Sequence, residues 1–243
     1  MPIGSTLIDL DGVLQEDEIH VWHTDLGHEE EAVNRLTHRL NSAEQARAGR
    51  FLVDHARKQY VISHAFLRAV LAKYVRAEPL ALRFSSSKNG KPALVDGDGL
   101  CFNLSHTEGT AAMAIARKRR VGIDVEKIRD NLKPLELATR FFSPQECKWL
   151  RSHPIAEQLA AFFACWTAKE SYIKAVGEGL SMGLAGFAVI PKNGNAKLQL
   201  EIFDQPEESE RWLIWQLNLK PDLCAAVAAE SGDVTVRIGE WHP

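Results

Sequence analysis

The sequence lacks the features that mark membrane-spanning, secreted and cysteine-rich proteins. No apolar run approaches the roughly 18 residues that span a bilayer, and residues 1–15 contain no basic or apolar leader. The four cysteines lie far apart and form no CxxC pair, which argues against zinc and dithiol redox motifs. We therefore expect reduced thiols in a cytoplasmic protein that does not bind membranes.

An excess of charge of one sign is also absent. The chain carries 29 Lys and Arg against 32 Asp and Glu, a formal net charge of −3. This balance gives no general attraction to nucleic acid, so we expect no nucleic-acid partner. Any phosphate-binding surface must be a local cluster of basic side chains.

Helical and strand patterns occur twice in the same order. In the first half they predict a strand at 18–26, a helical region at 28–76, and strands at 80–84, 91–95 and 100–116. In the second half they predict helices at 137–142 and 158–176 and strands at 186–190, 197–203, 211–219 and 223–229. The order indicates an α+β fold of two similar lobes, 1–118 and 119–243. The basic segment 117–120 between them is either a linker or a docking patch.

Two carboxylates interrupt the apolar strand VGIDVE at 121–126. Side chains alternate in a strand, so Asp124 and Glu126 point to the same face, with Cα atoms about 6.5–7 Å apart. Two like charges on one face of an apolar strand are unfavourable unless a positive group lies between them.

The helix predicted at 158–176 carries a third unusual carboxylate. Its apolar positions form one stripe, in which Glu170 falls, with Lys169 and Lys174 at the margins. A solvated Glu170–Lys174 pair is the ordinary alternative, worth about 0.2–0.5 kcal/mol. An unpaired carboxylate buried within the stripe is destabilised by more than such a pair would stabilise it. This comparison favours a bound cation or a reacting group. Three carboxylates without His or Cys favour Mg²⁺, and Lys174 beside them suggests a diphosphate.

The segment LIDLDGVL at 7–14 resembles the nucleophile motif of haloacid-dehalogenase-type phosphatases, with Asp9 as the nucleophile. That motif follows a buried strand, whereas only three residues of strand character precede Asp9. The second acidic motif of such phosphatases is also missing from the sequence. An Asp-rich turn is the favoured interpretation.

Five motifs occur in one order: GKP at 90–92, FNLSH at 102–106, VGIDVE at 121–126, RFFSPQE at 140–146 and WTAKESYIKAVGEGL at 166–180. Together they resemble the 4′-phosphopantetheinyl transferases, in particular the large two-lobed class that activates surfactin-type peptide synthetases. The resemblance runs from about Arg47 to the C-terminus. It implies two α+β lobes related by a pseudo-twofold axis, with coenzyme A in the cleft between them.

The resemblance also implies roles for individual residues. Asp124, Glu126 and Glu170 match the Mg²⁺-coordinating acids, and Lys174 matches the lysine that contacts the coenzyme A diphosphate. The residues that match contacts to the nucleotide end, including its 3′-phosphate, are Lys91, Ser105, His106 and, by a looser alignment, Arg47.

The implied enzyme is a Mg²⁺-dependent phosphopantetheinyl transferase of the holo-[acyl-carrier-protein] synthase type. A serine of an apo acyl or peptidyl carrier protein, a small acidic helical domain, attacks the β-phosphate of coenzyme A, and 3′,5′-ADP leaves. Glu170, Glu146 or a metal-bound water is the base. We expect a monomer that serves fatty-acid, polyketide, siderophore or peptide synthases. The alternative is a non-catalytic module that binds coenzyme A or a carrier; no expected acid is missing to favour it.

Overall fold

The computed structural model describes residue 8 and residues 14–179, 183–191, 196–230 and 232–243. Its first half contains β1 (Glu18–Asp25), α1 (Glu30–Thr37), α2 (Ser42–Ala48), α3 (Asp54–Val75), β2 (Phe84–Ser86), β3 (Pro92–Leu94), β4 (Leu100–Thr107) and β5 (Thr110–Arg117). Its second half contains β6 (Val121–Lys127), α4 (Pro134–Phe141), α5 (Pro144–Arg151), α6 (Ile155–Val176), β7 (Phe187–Pro191), β8 (Lys197–Ile202), α7 (Pro206–Ser209), β9 (Trp212–Leu217), β10 (Leu223–Glu230) and β11 (Thr235–Glu240). Asp9 lies outside the described residues.

Two sheets organise the chain and confirm the α+β class. The first has the strand order β11-β1-β5-β4, and the second has the order β6-β10-β9-β8-β7. Strands β2 and β3 form a separate hairpin. Among the described residues, every strand pair is antiparallel except β1 with β11, which run parallel. The pseudo-twofold relation between the lobes stays a prediction.

The two sheets share one apolar core, with helices packed on their outer faces. On β5, Met113 and Ile115 pack with the helices of the first lobe, whereas Ala112 and Ala114 face the opposite side. That opposite side joins Val227 and other residues of the second sheet in a common cluster. Helix α6 covers the other face of the second sheet. This alternation produces a layered arrangement of helix, sheet, sheet and helix.

The structure corrects the predicted elements at several places. The helical region 28–76 is three helices, because Asn41 caps α2 and accepts a hydrogen bond from the Glu44 amide. The strand predicted at 80–84 begins instead as a 3₁₀ turn, Pro79–Ala81. Helix α5 was not predicted, although Ser143 and Glu146 form the capping box that marks its start.

The last strand departs from the predicted division into lobes 1–118 and 119–243. Strand β11 pairs along β1, so the C-terminus completes the sheet of the first lobe. The basic segment between the lobes makes contacts within the chain: Lys118 pairs with Glu16 and Arg120 with Glu230. These contacts support a linker rather than a docking patch. Within the part of the chain that the structure describes, no helix has the length and apolar character needed to cross a membrane.

Candidate active site

A close approach between β6 and α6 builds the centre of the site. Val121, Ile123 and Val125 face the core between the sheets, which leaves Gly122, Asp124 and Glu126 on the face toward α6. A Cβ at Gly122 would lie 2.2 Å from the Ser171 carbonyl oxygen. Only glycine lets the helix backbone lie this close, and this contact brings the helix residues 170 and 174 beside the strand carboxylates.

Lys174 joins the helix to both lobes. Its Nζ lies 2.6 Å from Oδ1 of Asp124 and donates a hydrogen bond of 3.0 Å to Oγ of Ser105. The Ser105 hydroxyl in turn donates to Asp124 Oδ1 at 3.0 Å. Asp124 is buried, whereas the Lys174 side chain keeps 30% exposure.

A row of polar side chains on β4 fixes the carboxylates of β6. Asn103, Ser105 and Thr107 alternate along β4 and share one face. The Asn103 Oδ1 accepts a hydrogen bond of 2.8 Å from the Ile123 amide. Thr107 donates from Oγ1 to Glu126 Oε2 at 3.3 Å and accepts from the Lys127 amide. The first lobe therefore orients the acids of the second.

Burial and mutual repulsion raise the pKa of two carboxyl groups in this cluster. Burial, together with the charge of Asp124, raises the pKa of Glu126 above its ordinary value. Burial and the same neighbouring charge also raise the pKa of Glu170, although Lys174 acts in the opposite direction. The three carboxylates are therefore in electrostatic contact, and an added cation would relieve their repulsion.

The carboxylate group fits a hard divalent cation. Oδ2 of Asp124 is buried and has no hydrogen-bond partner among the described residues, although an ionised carboxylate is an acceptor on both oxygens. In the described ranges, no three His, Cys, Asp or Glu side chains are already spaced to hold an ion. The unsatisfied oxygen and the oxygen-only donor set nevertheless suit Mg²⁺ better than zinc.

An inter-lobe cavity of about 300 Å³ opens beside this cluster. Its walls come from the β2–β3 hairpin, from β4 and from the C-terminal end of α6. The lining residues that bear on the chemistry are Lys91, Asn103, Glu170 and Lys174. A base candidate and a cation therefore face the same space.

Comparisons with known proteins decide the family. One family model, the 4′-phosphopantetheinyl transferase superfamily, matches residues 120–228, and another, the 4′-phosphopantetheinyl transferase N-terminal model, matches residues 28–118. The chain is 35% identical over 222 residues to the 4′-phosphopantetheinyl transferase HetI of Nostoc sp., covering 90% of both chains. The chain belongs to the 4′-phosphopantetheinyl transferase superfamily.

A second relative and one solved structure share less sequence with the chain. The 4′-phosphopantetheinyl transferase Sfp of Bacillus subtilis strain 168 is 29% identical over 197 residues, which cover 80% of this chain and 84% of Sfp. The crystal structure of Thermotoga maritima holo-[acyl-carrier-protein] synthase aligns with a TM-score of 0.37 and 16% identity, covering 46% of this chain and 62% of that one.

The structure places Lys91 of the transferase in an unexpected setting. Its Nζ donates hydrogen bonds to three backbone carbonyls, those of Val121 at 3.0 Å, Lys174 at 2.6 Å and Ala175 at 3.1 Å. Burial lowers the pKa of this lysine to about 8. The ammonium has three N–H donors, and the carbonyls take them all. Lys91 lines the inter-lobe cavity while backbone carbonyls of the second lobe engage its ammonium, and its contact to the nucleotide end stays a prediction.

The other residues predicted for the nucleotide end occupy different surroundings. Ser105 is buried and its hydroxyl is bonded to Asp124 and Lys174, so it orients the acid cluster. His106 keeps an exposed side chain; partial desolvation on the side of its ring that meets the protein, together with the charge of Lys174, lowers its pKa. Arg47 is exposed on α2, where it lies over the Tyr60 ring and lines a different cavity of about 640 Å³.

Glu146 lies in a second, fully buried cluster. Lys169 donates to both of its carboxylate oxygens, at 2.7 and 2.8 Å, and the Val189 amide donates to Oε1 at 2.8 Å. Ser143 donates to Oε2 from both its amide and its hydroxyl. The sequence pattern placed Lys169 at the margin of the apolar stripe and Glu170 inside it. The structure corrects this, because Lys169 is completely buried and Glu170 is only half-buried.

Several contributors to the site were not identified from the sequence. Asn103 and Thr107 form hydrogen bonds to β6, and Gly122 allows the close approach of α6. Lys169 ties that helix to Glu146 of α5. The alternation of polar residues in FNLSHT was a signal for the first two. The pairing of Lys169 with Glu146 had no local signal, since 23 residues separate the partners.

Proposed function

We propose that the transferase moves the 4′-phosphopantetheine group from coenzyme A to a serine of apo acyl or peptidyl carrier proteins and releases 3′,5′-ADP. The observation that carries this proposal is the meeting of Lys174 with three carboxylates beside an inter-lobe cavity. The names of the relatives support the same reaction. The holo-[acyl-carrier-protein] synthase activity belongs to this proposal, with fatty-acid carriers among its substrates.

Positioning and charge neutralisation are the main tasks in such a transfer. Asp124, Glu126 and Glu170 would hold Mg²⁺, which supplies Lewis-acid neutralisation of the diphosphate when bound. Lys174 adds a second positive charge at the cavity wall, and Ser105 and Asp124 hold its ammonium in place. His106 and Arg47 are the residues we propose for the nucleotide phosphates.

We assign the base to Glu170 rather than Glu146. Glu170 lines the cavity in which the carrier serine and the diphosphate would meet, and position is the first requirement of a general base. Glu146 is completely buried, and the donors of Lys169, Ser143 and Val189 occupy its oxygens. The role that fits Glu146 is structural.

The oligomeric state, the compartment and the carrier partners also belong to the proposal. The cavity is complete within one chain, so the proposed reaction needs no second subunit, and we propose a monomer. All four cysteines are free, as expected for a cytoplasmic protein. The carriers we propose belong to fatty-acid, polyketide, siderophore and peptide synthases, and their docking is transient.

The reaction is tested by incubating the transferase with coenzyme A, Mg²⁺ and an apo carrier, followed by intact-mass spectrometry. We expect the carrier to gain the mass of one phosphopantetheine group, to lose this gain with EDTA, and to regain it with added Mg²⁺. An apo carrier with its serine changed to alanine is the matched control. Binding of coenzyme A without modification of several acyl and peptidyl carriers would instead indicate a non-catalytic binding module.

A further inference from the structure

The turn of the β2–β3 hairpin is hydrogen-bonded to the C-terminal end of α6. The last carbonyls of a helix have no intrahelical donors and carry partial negative charge, so they attract a cation. Lys91 supplies that cation to the carbonyls of Lys174 and Ala175, and Asn89 Nδ2 donates to the Gly177 carbonyl at 3.0 Å. Two side chains of one turn therefore cap one helix end from the opposite lobe.

The turn that presents Lys91 is itself well ordered. The Ser87 amide donates to the Lys91 carbonyl, and the Gly90 amide donates to the Ser87 carbonyl, both at 2.9 Å. The Lys91 amide donates to Ser87 Oγ at 3.1 Å. Gly90 has φ +81°, a left-handed conformation that glycine adopts without strain. The lysine stem is thus held in one direction before its ammonium reaches the helix.

Hydrogen bonds hold Lys174 at both its backbone carbonyl and its side-chain ammonium. Its carbonyl accepts from Lys91, whereas its own ammonium donates to Asp124 and Ser105. The third Lys91 contact, to the Val121 carbonyl, lies at the start of the strand that carries Asp124. One ammonium group therefore links the strand and the helix that supply the acid–lysine cluster.

We propose that Lys91 is a positioning residue that clamps the end of α6 and sets the place of Lys174, rather than a contact to the 3′-phosphate. The clamp itself stands on geometry alone, and its effect on catalysis rests on the proposed function. Without the clamp, the last turn of α6 loses its donors and frays, and Lys174 loses its fixed position relative to Asp124.

Amide hydrogen exchange tests the clamp without substrate. In Lys91→Met, the amides of residues 175–177 should exchange at least about tenfold faster than in the wild type, because charged hydrogen bonds are lost. Lys88→Met, the same change at an exposed lysine of the same turn, should leave their exchange unchanged. Asn89→Ala should accelerate them less, and it replaces Lys91→Met if that variant does not fold. Unchanged exchange in the folded variant would overturn the proposal.

Steady-state kinetics separates positioning from phosphate binding. Lys91→Met should lower kcat and change the KM values for coenzyme A and 3′-dephospho-coenzyme A by the same factor. A rise in KM confined to coenzyme A would overturn the proposal and return Lys91 to the 3′-phosphate. If the wild type transfers no phosphopantetheine, the proposed function fails, whereas the exchange experiment still decides whether the clamp exists.

Discussion

Lys174 Nζ lies 2.6 Å from Asp124 Oδ1, and the two residues come from α6 and β6. Ser105 of the first lobe joins them at 3.0 Å. The cluster is thus assembled from three segments that are distant in sequence, and its geometry depends on how α6 is seated. Changes that move α6 should therefore affect the reaction even when they touch no substrate.

Gly122→Ala should displace α6. The added Cβ would meet the Ser171 carbonyl oxygen at 2.2 Å and the Ala175 amide nitrogen at 2.3 Å, distances that only a backbone shift can relieve. We expect a loss of about 3 kcal/mol or more in the free energy of unfolding, at or beyond the upper end for overpacking. Gly186→Ala, where the new Cβ meets no atom within 4 Å, is the matched control in denaturant unfolding.

Glu146→Gln should destabilise the fold rather than remove the base. It would leave the Lys169 ammonium buried without a counter-charge, at a cost of about 3–5 kcal/mol in the free energy of unfolding. Glu157→Gln, at an exposed position in the first turn of α6, should be neutral in the same measurement. A variant with normal stability and a transfer rate lowered more than about 100-fold would return Glu146 to the role of base.

Thr107→Val should weaken the proposed metal site, although Thr107 is not one of its proposed ligands. The variant keeps the side-chain shape and loses both the hydrogen bond to Glu126 and the acceptor of the Lys127 amide. Groups that orient metal ligands typically contribute tenfold or more to metal affinity, so the Mg²⁺ concentration for half-maximal rate should rise about tenfold. Thr107→Ser should preserve the wild-type value, and a wild-type response from both variants would show that this hydrogen bond does not matter.

Stability should fall as the medium is acidified. Burial lowers the pKa of both His20 and His23 on β1. The unfolded imidazoles take up protons near pH 6.5, whereas the folded ones resist protonation, so stability is full above about 6.5 and declines below it. Urea unfolding between about pH 7.5 and pH 5.5 should show this decline. The double variant His20→Gln with His23→Gln should show a shallower decline, and an equal slope would contradict this origin.

Local patterns in the sequence predicted the features that depend on one element. Alternation in VGIDVE placed Asp124 and Glu126 on one face, as the structure shows for β6. The structure differs from the predicted burial where two layers pack against the same helix. Helix α6 packs against the second sheet on one side and against α4 and α5 on another, so a single apolar stripe could not identify Lys169 as buried.

Contacts between residues far apart in the sequence account for the remaining differences between the prediction and the structure. Strand β11 joins β1 across more than 200 residues, as the Glu18–Arg237 pair illustrates. The contact of Lys91 with the carbonyl of Lys174 spans 83 residues. Neither feature leaves a periodic signal in its own segment. The motif resemblance predicted which residues belong to the site, and the structure was needed to show the contacts by which Lys91 and Ser105 hold other residues in place.

The single-turnover transfer rate of Glu170→Gln tests the central claim most directly. The variant loses a carboxylate charge at the cavity wall and the proposed base, so transfer to an apo carrier should slow by at least about 100-fold. Its unfolding transition should match that of the wild type, and Glu157→Gln should transfer at the wild-type rate. A folded Glu170→Gln variant that transfers at a rate close to the wild type would contradict the account.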